Sequence, residues 1–194
     1  MKIVAFNGSP RPTGNTAILL NAVLAEVAKE GIDTELVQIG NQALQGCRAC
    51  GQCAKRLDRR CAIDGDPMNG YIAKMVEADA ILIGSPTYFA DMSTETKALI
   101  DRCGYVGRVN GDLYRRKVGA AVSAVRRAGA LHTLDSIQHF FTIAQMVVVG
   151  SSYWNVGIGR GRGEVEQDEE GMKTMVTLGG NLAWVMMRLN GEAP

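Results

Sequence analysis

The sequence predicts an α/β protein built on a five-stranded parallel sheet with helices on both faces. Short apolar runs rich in Val and Ile alternate with amphipathic stretches of helical length, the pattern of strand–helix–strand crossovers that parallel strands require. The run Ala80-Ile81-Leu82-Ile83 is apolar without alternation, as expected of a strand buried on both faces. Gly, Pro, Asn and Ser gather where apolar runs end, which is where such a sheet places its turns.

Residues 2–6 form the first strand, and the turn-rich Asn7-Gly8-Ser9-Pro10-Arg11-Pro12-Thr13-Gly14 leads into a helix over about 15–29. Within it Ala17, Leu20, Leu24, Val27 and Ala28 recur at three- and four-residue steps, and Gly31 closes the C-terminus. Residues 33–39 are the second strand, and a cysteine-rich insertion at about 45–66 precedes a helix over 69–77. The buried run at 80–83 is the third strand. A helix over 94–103, a strand over 118–125, a helix over 131–144, a strand over 146–149 and a final helix over about 168–189 complete the order, with 157–163 expected as a mobile or partner-dependent loop. Five strands and five helices fit a flavodoxin-like three-layer sandwich of strand order 2-1-3-4-5, whose ligand sits beyond the carboxyl ends of the strands, between strands one and three.

At 194 residues the chain suits one domain, 1–194, with a substantial core. The near balance of 21 basic and 20 acidic side chains argues against a nucleic-acid partner. No apolar run approaches the ~18–20 residues needed to span a bilayer, and nothing at the N-terminus resembles a secretory signal, so the expected location is the cytoplasm.

Four of the five cysteines, Cys47, Cys50, Cys53 and Cys61, follow the spacing Cys-x2-Cys-x2-Cys-x7-Cys. Three thiols at steps of three residues let one wrapped loop present sulfur to successive corners of an iron–sulfur cubane, and a fourth closes the cage. Zinc is the first rival, but structural zinc sites more often pair two Cys-x2-Cys knuckles separated by roughly a dozen residues or more. A disulfide is a weaker reading, since intracellular thiols stay reduced. The remaining alternative is small buried side chains that bind nothing, the reading preferred for Cys103.

Three loops leave the carboxyl ends of strands. In the first, residues 8–16, the turn around Gly14 and the start of the following helix offer N–H groups to an anion; Ser9, Thr13, Asn15 and Thr16 add donors and Arg11 a charge. It matches neither Gly-x4-Gly-Lys-Ser/Thr nor Gly-x-Gly-x2-Gly, so a monophosphate ester fits better than a triphosphate or a dinucleotide; a plain strand-to-helix turn with an Asn cap is the alternative. In the second, Pro86 and Thr87 precede Tyr88 and Phe89, whose rings suit a flat ring system or simply cover the sheet end. In the third, Arg126-Arg127-Ala128-Gly129-Ala130, positive charge near a flavin would favour its anionic reduced form, unless Arg127 is only solvated. His132 and His139 read as packed or exposed residues rather than ligands.

With these loops in place the chain resembles, over nearly its whole length, the flavodoxin-like NADPH-dependent FMN reductase superfamily and, within it, the iron–sulfur flavoproteins. Gly8-Ser9-Pro10-Arg11 with Gly14-Asn15-Thr16, the cysteine motif, Gly84-Ser85-Pro86-Thr87-Tyr88-Phe89, and Lys97-Ala98-Leu99-Ile100-Asp101-Arg102 carry the resemblance. It implies a noncovalent FMN on the first two loops, with Arg127 and Gly129 beside it, and a 4Fe-4S cluster on the four cysteines. It also implies homodimers that pair into homotetramers. The Cys53–Cys61 interval is at the long end for the family and holds Lys55, Arg56, Arg59 and Arg60, which either hold an anionic cluster, dock an acidic donor such as ferredoxin, or face solvent.

The leading functional expectation is an FMN oxidoreductase taking electrons from ferredoxin or a similar carrier through a 4Fe-4S cluster and passing them to a small acceptor: oxygen, peroxide or a quinone. Catalysis then rests on the cofactors, with no side chain needed as nucleophile or general base. The alternatives are a cluster-free reductase of flavin, quinone or azo compounds using NAD(P)H as co-substrate, and a flavin electron shuttle or redox-sensing module. Tyr153 and Trp154 are expected over a neighbouring subunit's flavin or in a dimer contact.

Overall fold

Strand β1 (Lys2–Asn7) serves both layers of the protein at once. Val4 and Phe6 enter the core on one face of the sheet, Ile3 and Ala5 the core on the other, because successive strand side chains point to opposite faces. The computed structural model describes residues 1–191. Around β1 the parallel strands β2 (Asp33–Gln38), β3 (Ala80–Pro86), β4 (Val118–Val125) and β5 (Val147–Val148) run in the order β2-β1-β3-β4-β5, as expected. All residues of β3 and β4 are buried, which is why neither shows alternation.

Helices α1 (Asn15–Lys29) and α6 (Glu169–Leu189) cover one face, burying Leu19, Leu20, Val23 and Val27 against Met175, Leu178, Leu182 and Met186. On the other face lie α3 (Met68–Glu77), α4 (Thr94–Val109) and α5 (Ala130–Ile143), around Met75, Leu99, Val106, Ile137 and Phe141. A one-and-a-half-turn helix, α2 (Gln52–Arg56), lies in the cysteine segment between left-handed residues Gly51 and Leu57; so short an element has no periodicity to read.

Three expectations are corrected. The fifth strand shrinks to two exposed residues, and its edge is completed by β6 (Val156–Ile158), which pairs with β4 further along. Between them the chain loops out and exposes Tyr153 and Trp154. Helix α4 runs six residues beyond Cys103, through Gly104 and Gly107, a residue type that ordinarily weakens a helix. Gly107 is instead a packing position, since a Cβ there would stand 2.4 Å from the Tyr114 ring. Finally, 157–163 is anchored: Asn15 Nδ2 donates to the carbonyls of Gly159 (3.0 Å) and Gly161 (2.9 Å), and its Oδ1 accepts from Gly163 N (2.8 Å).

Candidate functional site

The order of the sheet brings the loop after β1 and the loop after β3 side by side, with their helices on opposite faces. That divergence opens a crevice at the carboxyl edge. The first loop is fixed from below. Buried Asn7 accepts from Ser9 N (3.1 Å) through Oδ1 and donates to Gln38 (2.6 Å), and Gln38 Nε2 donates to the Ser9 and Gly40 carbonyls (2.7 and 2.8 Å). Ser9 is buried and its Oγ accepts from Arg11 N at 3.2 Å, while Arg11 and Thr13 face solvent. The loop delivers the chain to α1 through Gly14, whose position carries no side-chain cap, and the first turn of α1 holds no acidic residue. That helix end therefore presents N–H groups and a positive dipole to an anion.

The second loop is hooked onto the first by one buried hydroxyl. Ser93 caps α4, its Oγ accepting from Thr96 N (3.3 Å) and donating to the Gly8 carbonyl (2.8 Å), while Ser93 N donates to Ser85 Oγ (2.9 Å). Gly8 fits because it has no side chain: a Cβ would meet Thr96 Oγ1 at 2.0 Å. Thr87 is held by Ser123 (2.9 Å) and Thr133 (3.2 Å). Beyond it Tyr88 and Asp91 close a tight turn through reciprocal backbone bonds of 2.8 and 3.0 Å, with Phe89 and Ala90 at φ +49° and +63°. These are left-handed values that side chains adopt at a cost. The turn leaves Phe89 fully exposed and Tyr88 half-exposed. Arg127 and Gly129, in the third loop, are also exposed, as are His132 and His139; His132 Nε2 stands 3.8 Å from Asp91.

The structure thus gathers Ser9, Arg11, Gly14, Thr87, Tyr88, Phe89, Arg127 and Gly129 on the three loops at one edge of the sheet, with Pro86 at the end of β3, while Thr16 lies in the first turn of α1 and is buried. Asn15 has a different use, its side chain being engaged with 159–163, so that only its backbone N–H is left to the crevice. Thr13 accepts a hydrogen bond from Arg162, a cation that sequence reading did not select. The signal was the alternation Gly159-Arg160-Gly161-Arg162-Gly163, and Ser93 was signalled by its place ahead of a helical stretch.

The cysteine segment lies against α4 rather than at the crevice. Cys47, Cys50, Cys53 and Cys61 all border one cavity of about 20 Å³, together with Arg102, Tyr105 and Val106. Cys53 is buried, and burial pushes its thiol pKa up; Cys61 is half-buried; Cys47 and Cys50 stand on the solvent side. Asn69 grips the Cys61 backbone from both sides, accepting from its N–H at 2.8 Å and donating to its carbonyl at 3.0 Å. Wholly buried Arg102 pairs with Asp66 and donates to Cys61 Sγ at 3.3 Å. Burial opposes the Asp66 carboxylate, yet Arg102 and the N–H groups of Gln45 and Met68 outweigh it and hold its pKa below the usual value. Cys103 is buried, as expected, and its thiol is pushed strongly up by burial.

Among the described residues no group of three Cys, His, Asp or Glu side chains is placed to hold a single metal ion. All four thiols line one small cavity with no carboxylate among its lining residues, and thiol donors of this kind suit an iron–sulfur cluster better than a hard cation. The crevice likewise fits a phosphate ester, through an uncapped helix end flanked by Arg11 and Arg162. Two larger cavities lie nearby. One of about 400 Å³ joins Arg127 and Gly129 to Tyr153, Trp154 and Ile158. Another of about 520 Å³ runs between α4 and α5 along Ile100, Tyr105, Leu113, Phe140 and Ile143, touching the second loop only at Asp91 and Met92. No helix among the described residues is long and apolar enough to cross a membrane.

The model of the NADPH-dependent FMN reductase family matches residues 1–161. An iron–sulfur flavoprotein of Methanocaldococcus jannaschii is 37% identical over 193 residues, covering 96% of this chain and 97% of the relative. One of Methanosarcina thermophila is 39% identical over 178 residues, covering 90% of each. Among solved structures, a flavodoxin, WrbA-like protein of Agrobacterium tumefaciens superimposes with a TM-score of 0.66 at 19% identity, over 96% of this chain and 97% of that one, a likeness of fold. Family model, relatives and crevice agree, and the chain belongs to the NADPH-dependent FMN reductase family, among its iron–sulfur flavoproteins, as a flavin-dependent oxidoreductase that works with FMN.

Proposed function

We propose that this protein passes electrons from an external carrier such as ferredoxin, by way of a 4Fe-4S cluster on Cys47, Cys50, Cys53 and Cys61, to FMN and then to a small acceptor such as oxygen, peroxide or a quinone. The observation that carries the reading is the convergence of all four thiols on one cavity beside α4. When bound, FMN supplies one- and two-electron chemistry and the cluster one-electron transfer. The chain's own residues place, insulate and admit. Ser9, Arg11, Thr13, Gly14 and Thr16 hold the FMN phosphate, with Arg162 behind Thr13 and Asn15 bracing the loop by its side chain. Pro86, Thr87, Tyr88 and Phe89 lie along the ring, and Arg127 and Gly129 border it; the exposed Arg127 guanidinium favours negative charge on the ring.

The whole chain acts as one FMN-binding domain in a cytoplasmic homodimer or homotetramer. The apolar groove between α4 and α5, with Tyr105 and Ile143 exposed on it, supports association.

A second reading, a cluster-free reductase fed by NAD(P)H, is favoured by one observation: Cys47 and Cys50 stand at the surface, and the space enclosed between the thiols is small. Anaerobic purification with iron, acid-labile sulfide and FMN measured per chain separates the two. About four irons per chain with flavin, and loss of iron but not of FMN in Cys61→Ala, is the expected result. Flavin without iron, with rapid NADPH oxidation, would replace the first reading by the second.

A further inference from the structure

One buried side chain reaches both ends of the cysteine segment. The Arg102 side chain is 0% exposed and its partner Asp66 1%, a burial that an arginine tolerates only when its N–H groups are satisfied. Its Nε donates to Cys61 Sγ (3.3 Å), its Nη1 to the Gln45 carbonyl (3.1 Å) and to Asp66, and its Nη2 to the Ile63 carbonyl (2.9 Å). Asp66 closes the ring by accepting from Gln45 N (3.0 Å) and Met68 N (3.3 Å). Positions 45 and 61–66, the two ends of the segment, therefore meet on a single planar group carried by α4. Cys47, Cys50 and Cys53 hang between those ends. Among the described residues Cys61 alone of the four has a sulfur that accepts from a charged side chain.

We infer that Arg102 is the positioning residue of the cysteine centre, gathering both ends of segment 45–66 and aiming one charged N–H at the Cys61 sulfur. Its redox consequence rests on the cluster reading above; the clamp itself does not. A hydrogen bond to a ligand sulfur stabilises the more negative, reduced state of a cluster, and so raises its potential. Lysine at this position would keep a charge for Asp66 but lack the planar fork that serves Cys61, Gln45 and Ile63 together.

The test compares wild type with Arg102→Lys, purified and reconstituted without oxygen. It reads FMN and iron per chain, the potential of the iron centre by spectroelectrochemical titration, and hydrogen exchange over 45–66 in the iron-free protein. The expected result is FMN retained, faster exchange at both ends of the segment, and either lost iron or a reduction equilibrium weakened about tenfold, ~59 mV for one electron. A structural plug would leave that potential unmoved. Wild-type iron, potential and exchange in Arg102→Lys overturn the inference. If wild type itself takes up no iron, the cluster reading fails, and exchange alone decides: faster exchange in Arg102→Lys keeps the clamp, and unchanged exchange ends it.

Discussion

The loop after β1 and the cysteine segment are both irregular chain, yet they are held in opposite ways. The loop at 8–14 is knitted by hydrogen bonds from several directions, from Asn7 and Gln38 beneath it, Ser93 beside it, Arg162 at Thr13 and Gly14 leading into α1. The cysteine segment hangs on one buried charged pair, Arg102–Asp66, helped by Asn69 on the Cys61 backbone and Asn110 on the Arg59 N–H, with Cys47 and Cys50 left at the surface. A distributed network loses little when one bond is cut. A centre that depends on a single buried ion pair loses much, because the surviving charge has no partner.

The sharpest way to break this contrast is Asp66→Asn, which strands a buried guanidinium and is expected to cost about 3–5 kcal/mol near neutral pH. The sign with pH follows from the lowered carboxyl. The folded pKa lies below its ordinary 3.8, so the stabilisation is fully present above that value and is lost as pH falls through the folded one. Unfolding temperatures of wild type should fall steeply below about pH 4, whereas Asp66→Asn starts lower at pH 7 and falls less. Parallel curves would show that the pair does not anchor the fold. Next in size, Gly8→Ala tests the knitted loop. Its new Cβ would stand 2.0 Å from Thr96 Oγ1 and 3.0 Å from the Gly84 carbonyl, and overpacking of this kind costs about 1–3 kcal/mol. FMN per chain should fall while iron per chain holds, the reverse of Cys61→Ala; equal loss of both would mean that the two regions are one cooperative unit.

The same contrast explains what could be read in the sequence. The strand order and the three loops were legible because β3 and β4 are continuously apolar and α1 keeps its 3.6-residue period from Asn15 to Lys29. The cysteine set was legible from donor spacing alone. What escaped depends on contacts far apart in the chain. Arg102 sits in a helix where a charge normally faces solvent, and only the fold reveals that positions 45, 61, 63 and 66 meet it. Asn15 reads as a phosphate donor because its partners lie some 144–148 residues away. The split of the last strand into β5 and β6 escaped because the apolar run at 146–149 pairs with β4 over only two residues, and the chain returns to that strand at Val156 after looping out.

A smaller effect probes the joint between the two flavin loops. Ser93→Ala removes the α4 cap and the bond to the Gly8 carbonyl together, which should lower stability by about 1–2 kcal/mol and raise the Kd for FMN in a titration of the stripped protein. Unchanged FMN affinity would confine Ser93 to helix capping.

The smallest expected effect on stability concerns the exposed turn, where structure and function should pull apart. Phe89 and Ala90 both adopt left-handed φ in a tight turn of the kind usually filled by Asn-Gly. Ala90→Gly should relieve strain, partly offset by the greater freedom of the unfolded chain, and raise stability by up to ~1 kcal/mol without touching the Phe89 ring. Phe89→Gly should gain similarly in stability, but it removes a fully exposed ring and, on the reading proposed here, turnover of the acceptor with it. Chemical denaturation and steady-state rates on the two variants therefore separate the backbone from the ring. If both keep wild-type rates, Phe89 is not part of the flavin face, and its strained placement would have to serve contact with another chain.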